Sequence, residues 1–104
     1  ASTGAAAALV ATARNPGLIR AVVSRGGRPD LVTEWLGEVQ APVMLIVGER
    51  DAVVLGMNES AREMLRSPTD LRIVPGATHL FEEPGALETV ARMAGEWFER
   101  YLSG

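Results

Sequence analysis

The sequence predicts an α/β fold: a three-stranded parallel sheet with flanking helices, spanning residues 1–104 as one partial domain. Two observations carry that expectation. Short β-branched runs alternate with longer segments whose apolar residues recur at helical spacing. The middle run, Val43 to Val47, is five apolar residues without interruption, which suits a parallel strand covered on both faces. Strands that alternate with helices call for a parallel sheet with right-handed crossovers.

Taken in order, residues 3–14 form an alanine-rich helix that stops at Asn15-Pro16-Gly17, a strong breaker. Arg20 to Ser24 is a short β-branched run, followed by the turn-rich Arg25-Gly26-Gly27-Arg28-Pro29-Asp30. Asp30 is expected to cap a helix whose apolar positions are Leu31, Val32, Trp35, Leu36 and Val39. Pro42 introduces the central strand. From about Val53 to Arg66, Val54, Met57, Ala61, Met64 and Leu65 share one helical face, and Pro68 ends that segment. Leu71 to Val74 reads as the third strand. Pro84 suits the first position of a last helix, where Leu87, Val90, Ala91, Ala94, Phe98, Tyr101 and Leu102 make a continuous stripe. The expected sheet has 43–47 in the centre, flanked by 20–24 and 71–75.

Bulk properties narrow the function classes. At 104 residues with 47% apolar content, about two-thirds of the unfolded chain's surface is available for burial. The net charge is −3, from 13 acids against 10 bases, all of them arginine. That balance leaves no footprint for nucleic acid or an anionic membrane. With no cysteine, disulfides, thiolate metal sites and a cysteine nucleophile are excluded. No metal or cofactor is expected. No apolar run approaches the ~20 residues of a spanning helix. An Ala-Ser start could follow a secretory cleavage, but nothing else points outward, and a cytoplasmic location is expected. Truncation explains the missing initiator methionine better, because a strand-to-helix junction is an odd place for a complete domain to begin.

In parallel sheets, ligands bind where the loops leave the strands' C-terminal ends. Those loops are Ser24 to Arg28, Gly48 to Val53 and Gly76 to Phe81. Two chemistry-bearing groups fall on them: Asp51, and His79, the single histidine. A serine, Ser2, opens the first helix. Ser2 before Asp51 before His79 gives a nucleophile, an acid and a base in that chain order.

At these residues the chain resembles the second half of an α/β-hydrolase, most closely the dienelactone-hydrolase-like branch. The resemblance rests on Ser2-Thr3-Gly4 before a small-residue helix, Gly48-Glu49-Arg50-Asp51 after a buried strand, and Gly76-Ala77-Thr78-His79-Leu80-Phe81 after the last strand. Asp51 follows Ser2 by 49 residues and His79 follows Asp51 by 28. The chain opens one residue after the place of the motif's first glycine. The resemblance implies a serine hydrolase of carboxylic esters, lactones or related acyl compounds. Ser2 would be the nucleophile, His79 its base, Asp51 the group orienting His79, and the Thr3 backbone N–H an oxyanion donor. The earlier loop that supplies a second donor is not in this chain, so the chain alone is expected to be inactive.

Plainer uses compete for every residue. Ser2 alone is more often a helix cap, Asp51 alone a turn residue or cap, and a lone loop histidine polar surface. Gly26, Gly27 and Arg28 form either an anion-binding nest or an ordinary turn. Glu49 and Arg50 are expected to be solvated or locally paired. Trp35, Trp97, Phe98 and Tyr101 read as packing residues, and the four methionines are too scattered for a binding surface. The alternative to a hydrolase is a non-catalytic interaction module on the same scaffold. Nucleotide or flavin binding is weaker, for want of a G-x-G-x-x-G between strand and helix. The Arg20–Ser24 strand would present an open edge, so self-association or pairing with a complementary N-terminal half is expected, with a small acyl compound as substrate.

Overall fold

Between Pro42 and Gly48 the unbroken apolar run forms the strand on which the rest is assembled. A computed structural model describes residues 2–102 and, for Ser2 and Thr3, the backbone alone. The elements run α1 (Ser2–Arg14), β1 (Val22–Arg25), a 3₁₀ turn (Pro29–Val32), α2 (Thr33–Leu36), β2 (Val43–Gly48), α3 (Ala52–Met64), β3 (Thr69–Val74) and α4 (Ala86–Leu102). The three strands lie in the order β1-β2-β3, both pairs parallel. All six residues of β2 are buried, because helices cover both of its faces.

The period of two along β2 divides the core. Val43 and Leu45 join Leu9, Val22, Leu36, Val39, Ala41, Ala61 and Leu65 beneath α1, α2 and α3. Met44 and Ile46 join Val74, Ala77, Phe81, Ala86, Val90 and Trp97 beneath α4. The Trp97 indole N–H donates to the Pro42 carbonyl at 3.4 Å, so the largest buried ring has its polar atom satisfied. Among the described residues no helix is long and apolar enough to cross a membrane.

Several boundaries differ from expectation, each for a local reason. β1 begins at Val22 rather than Arg20, where the Val22 N–H first reaches a neighbouring strand at the Pro42 carbonyl, 2.9 Å away. β3 begins earlier, at Thr69, because the ladder starts directly after Pro68, whose carbonyl accepts from the Val43 N–H at 2.9 Å. The helix expected from Asp30 is broken into a 3₁₀ turn and one α turn at Val32, with φ −133°. Asp30 caps nothing there. Its carboxylate turns back to Arg28 in a two-pronged pair, both contacts 2.9 Å, and that pairing holds the Asp30 carboxyl below its ordinary value. Pro84 does not begin α4. The Ala86 N–H bonds to the Glu83 carbonyl at 3.0 Å around Pro84 and Gly85, with Gly85 at φ +82°. That is the Pro-Gly order of a type II turn, and the helix starts after it.

α4 buries a narrower face than its apolar stripe. Ala86, Val90 and Trp97 are inside, whereas Leu87, Phe98 and Leu102 are exposed. Phe98 is therefore not the packing residue its spacing suggested. Together with Val23, Arg25, Ala91 and Ala94, it lines an open cleft of about 520 Å³ beside β1. Among the described residues the outer edge of β1 has no strand partner.

The two surfaces should respond differently to mutation. Leu45→Ala, at a fully buried position, is expected to cost about 2–5 kcal/mol in urea unfolding. Phe98→Ser should stay within about 0.5 kcal/mol of the parent chain. A loss of core size at Phe98 would show that the cleft is filled in solution.

Candidate functional site

Gly48 ends β2 where the chain from β3 passes closest. A Cβ placed there would lie 2.8 Å from both the Ala77 carbonyl carbon and the Thr78 oxygen, and closer still to the Ala77 oxygen. Only glycine allows that approach. Beyond it the two strand-exit loops are laced by backbone bonds. Glu49 N–H donates to Val74 C=O at 3.0 Å and Arg50 N–H to Ala77 C=O at 2.9 Å. The Glu49 carboxylate accepts from the Gly76 N–H at 2.8 Å, so Glu49 is locally paired.

This lacing sets Asp51 opposite His79. The Nδ1 of His79 and the Oδ2 of Asp51 are 2.6 Å apart. A carboxylate accepts, so Nδ1 carries the proton of this contact, and the tautomer that suits it in the neutral ring has its lone pair on Nε2. Asp51 stands at the N-cap position of α3, yet its side chain makes no cap bond. The cap reading of Asp51 fails for that reason: its carboxylate has gone to the histidine. The Asp51 side chain is 14% exposed and that of His79 40%, leaving the imidazole reachable from solvent.

Glu83, which the sequence reading passed over, and Phe81, which it quoted without a role of its own, hold the His79 loop. The Glu83 carboxylate accepts from both the N–H of Thr78, at 3.0 Å, and its hydroxyl, at 2.7 Å. These bonds, the hydroxyl first, lower the Glu83 pKa from its ordinary 4.5. Phe81 adopts φ +55°, a left-handed conformation unfavourable for a bulky side chain. Its ring is only 2% exposed, and burial worth about 1.5–3 kcal/mol offsets a strain of similar size. The available signal was the i,i+5 spacing of Thr78 and Glu83; nothing in the sequence marks Phe81 for a left-handed backbone.

The third loop also reaches the histidine. Gly26 sits at φ +59°, and a Cβ on it would lie 3.4 Å from Cε1 and 3.5 Å from Nδ1 of His79. A Cβ on Gly27 would meet that of Ala5 at 2.6 Å, so the early part of α1 lies beside the same loop. The Arg28 side chain is taken by Asp30, and the Gly26 N–H that an anion nest would use is bonded to the Ile46 carbonyl. Ser2 and Thr3 open α1, so the Thr3 N–H stands in the first turn of that helix; the Ser2 side chain, and with it the nucleophile assignment, lies outside the described residues. Among the described residues no three His, Cys, Asp or Glu side chains gather where they could hold a metal ion.

No protein-family model matches the chain. Two curated relatives, from two strains of Mycobacterium tuberculosis and each named "Putative phosphoribosyl transferase", are 59% identical over 104 residues. That match takes in 100% of this chain and 24% of theirs, so the chain spans about a quarter of the length of these relatives. Among solved structures, a dienelactone hydrolase from Anabaena variabilis is 57% identical with a TM-score of 0.95, over 97% of this chain and 47% of that one. The likeness read from the loop motifs therefore holds. In sequence and in fold, with its three parallel strands and flanking helices, the chain is similar to about half of a dienelactone hydrolase, and it has a hydrolase-like scaffold.

Gly48→Ala should destabilise the chain by about 1–3 kcal/mol in urea unfolding, since backbone atoms cannot yield as a side chain would. For Glu83 the folded-state pKa is depressed, so its contribution is complete above 4.5 and lost as pH falls through the folded value. Thermal melts of Glu83→Ala should therefore lie below those of the parent chain at neutral pH and converge with them well below 4.5. A gap that persists in acid would show that the Thr78–Glu83 bonds are not its source.

Proposed function

We propose that the chain is the acid–base-bearing portion of a serine hydrolase that acts on a carboxylic ester, lactone or related acyl compound. The observation that carries this reading is the 2.6 Å contact between His79 Nδ1 and Asp51 Oδ2, made by an aspartate that forgoes its helix cap. In the proposed reaction Nε2 of His79 takes the proton of the Ser2 hydroxyl as Oγ attacks the substrate carbonyl carbon. Asp51 holds the imidazole in the tautomer that leaves Nε2 basic, and stabilises it once charged. The tetrahedral oxyanion is met by the Thr3 N–H at the positive end of α1. Collapse expels the alcohol with the proton from Nε2, leaving an acyl-serine. Water then repeats the cycle and releases the acid. The contact of Ala5 with Gly27, and of Gly26 with His79, supports this reading by bringing the start of α1 to the rim that holds the pair.

The proposal includes a partner: the complementary half-sheet, joined along the open edge of β1 and covering the cleft at Leu87 and Phe98. An open strand edge recruits further strands, and a second copy of the chain is the other way to fill it. The interaction-module reading draws on this same surface. The transferase name belongs to proteins about four times as long as this chain. A hydrolase segment within a longer chain is compatible with that name. In a protein of that length, His79→Ala should abolish ester hydrolysis and leave any ribosyl transfer unchanged.

The decisive test is a serine-reactive phosphonate applied to the chain together with the preceding half-sheet. Stoichiometric labelling at Ser2, absent from Ser2→Ala, is expected. Labelling that survives Ser2→Ala, or none at all, contradicts the serine mechanism and favours the interaction module. For the 104-residue chain alone, loss of one oxyanion donor should lower hydrolysis by about 10²–10³ relative to the joined protein.

A further inference from the structure

Asn58 is fully buried on α3, a helix whose other buried residue is Ala61. Its Nδ2 donates to the Gly27 carbonyl at 3.1 Å, 31 residues away in the chain, and to the Val54 carbonyl at 2.8 Å. Its Oδ1 has no hydrogen-bond partner among the described residues. Burying an amide with one end unsatisfied is unfavourable, and an apolar side chain would suit the core better if α3 only had to pack. The long-range bond to Gly27 is what the amide provides.

Gly27 cannot yield its place. A Cβ there would collide with the Ser24 hydroxyl and with Ala5. Its neighbour Gly26, left-handed and bonded through its N–H to the Ile46 carbonyl at 2.8 Å, lies against the imidazole of His79. Asn58 stands seven residues after Asp51, two helical turns on and on the same face. One helix thus delivers both supports of the ring: at its start the carboxylate that meets Nδ1, and two turns later the amide that fixes the loop behind it.

We infer that Asn58 is a positioning residue, which holds the Gly26–Gly27 loop against His79 and so keeps the imidazole aligned with Asp51. The consequence for catalysis rests on the hydrolase reading; the positioning itself does not. The test therefore reads the histidine rather than turnover. It follows solvent exchange of the His79 Nδ1 proton by nitrogen-15 NMR in the protein and in Asn58→Leu, with Leu65→Ala as a control for general loosening of α3. Asn58→Leu should accelerate exchange about tenfold or more, as expected when a protecting contact opens, while Leu65→Ala loses stability and keeps the parent rate.

Gly26→Ala supplies a second route that leaves Asn58 intact and decides the matter where Asn58→Leu does not fold. Its methyl group crowds the His79 carbonyl, 3.3 Å away, on a left-handed backbone that disfavours a side chain, so the loop shifts from the ring and exchange should accelerate likewise. An unchanged rate in a folded Asn58→Leu or in Gly26→Ala, or equal acceleration in Leu65→Ala, overturns the inference. Failure of Ser2 to take up a phosphonate would overturn the hydrolase reading alone and leave this result standing.

Discussion

Where β2 ends at Gly48, two backbones come closer than any side chain would permit, and the whole rim depends on that approach. Through it the exit loop of β2 bonds to the chain leaving β3, at Val74, Gly76 and Ala77. The lacing is made of backbone groups and one carboxylate, so it fixes position without relying on the identity of most loop residues. Asp51 and His79 are then presented to each other by the sheet. The short contact between them follows from the strand order and register, in which β2 and β3 are parallel neighbours paired from Val43–Thr69 to Gly48–Val74.

The same architecture divides the molecule into a closed face and an open one. On the α1–α3 side, Leu9, Leu36, Val43 and Leu45 are wholly buried, and the helices meet over the sheet. On the α4 side the helix reaches β1 but leaves an open cleft there, in which Leu87 and Phe98 stand beside Val23. The open face adjoins the unpaired strand edge. A sheet that holds Asp51 against His79 while leaving the outer edge of β1 unpaired among the described residues has an edge to which further strands can add. The hydrolase of known structure, of which this chain matches 47%, has length enough for such an addition.

Much of this was legible in the sequence because parallel strands carry a strong signal. The run Val43 to Val47 could be placed in the centre of the sheet from its unbroken apolarity, and Asp51 and His79 could be assigned to one rim from topology. What could not be read was whatever depends on competition between neighbours. Asp30 had the chemistry of a cap, but Arg28 two residues earlier offered a stronger, charged partner. The stripe on α4 gave a face and not its extent, since periodicity cannot say how far the sheet beneath it reaches. Gly26 read as a turn residue because His79, which it adjoins, lies far along the chain, and Asn58 carried no signal because its partner Gly27 is 31 residues away. Phe81 carried no mark of its left-handed backbone, which only the surrounding core makes tolerable.

The proposed serine mechanism requires the strand-exit lacing to set His79 between Asp51 and Ser2. A crystal structure of the chain together with the preceding half-sheet tests it most directly, through the distance from Ser2 Oγ to His79 Nε2. A separation of about 2.6–3.2 Å is expected, with the Nδ1–Asp51 contact retained on the other side of the ring. A Ser2 hydroxyl turned into α1 as a cap, with His79 Nε2 facing solvent or another partner, would contradict it.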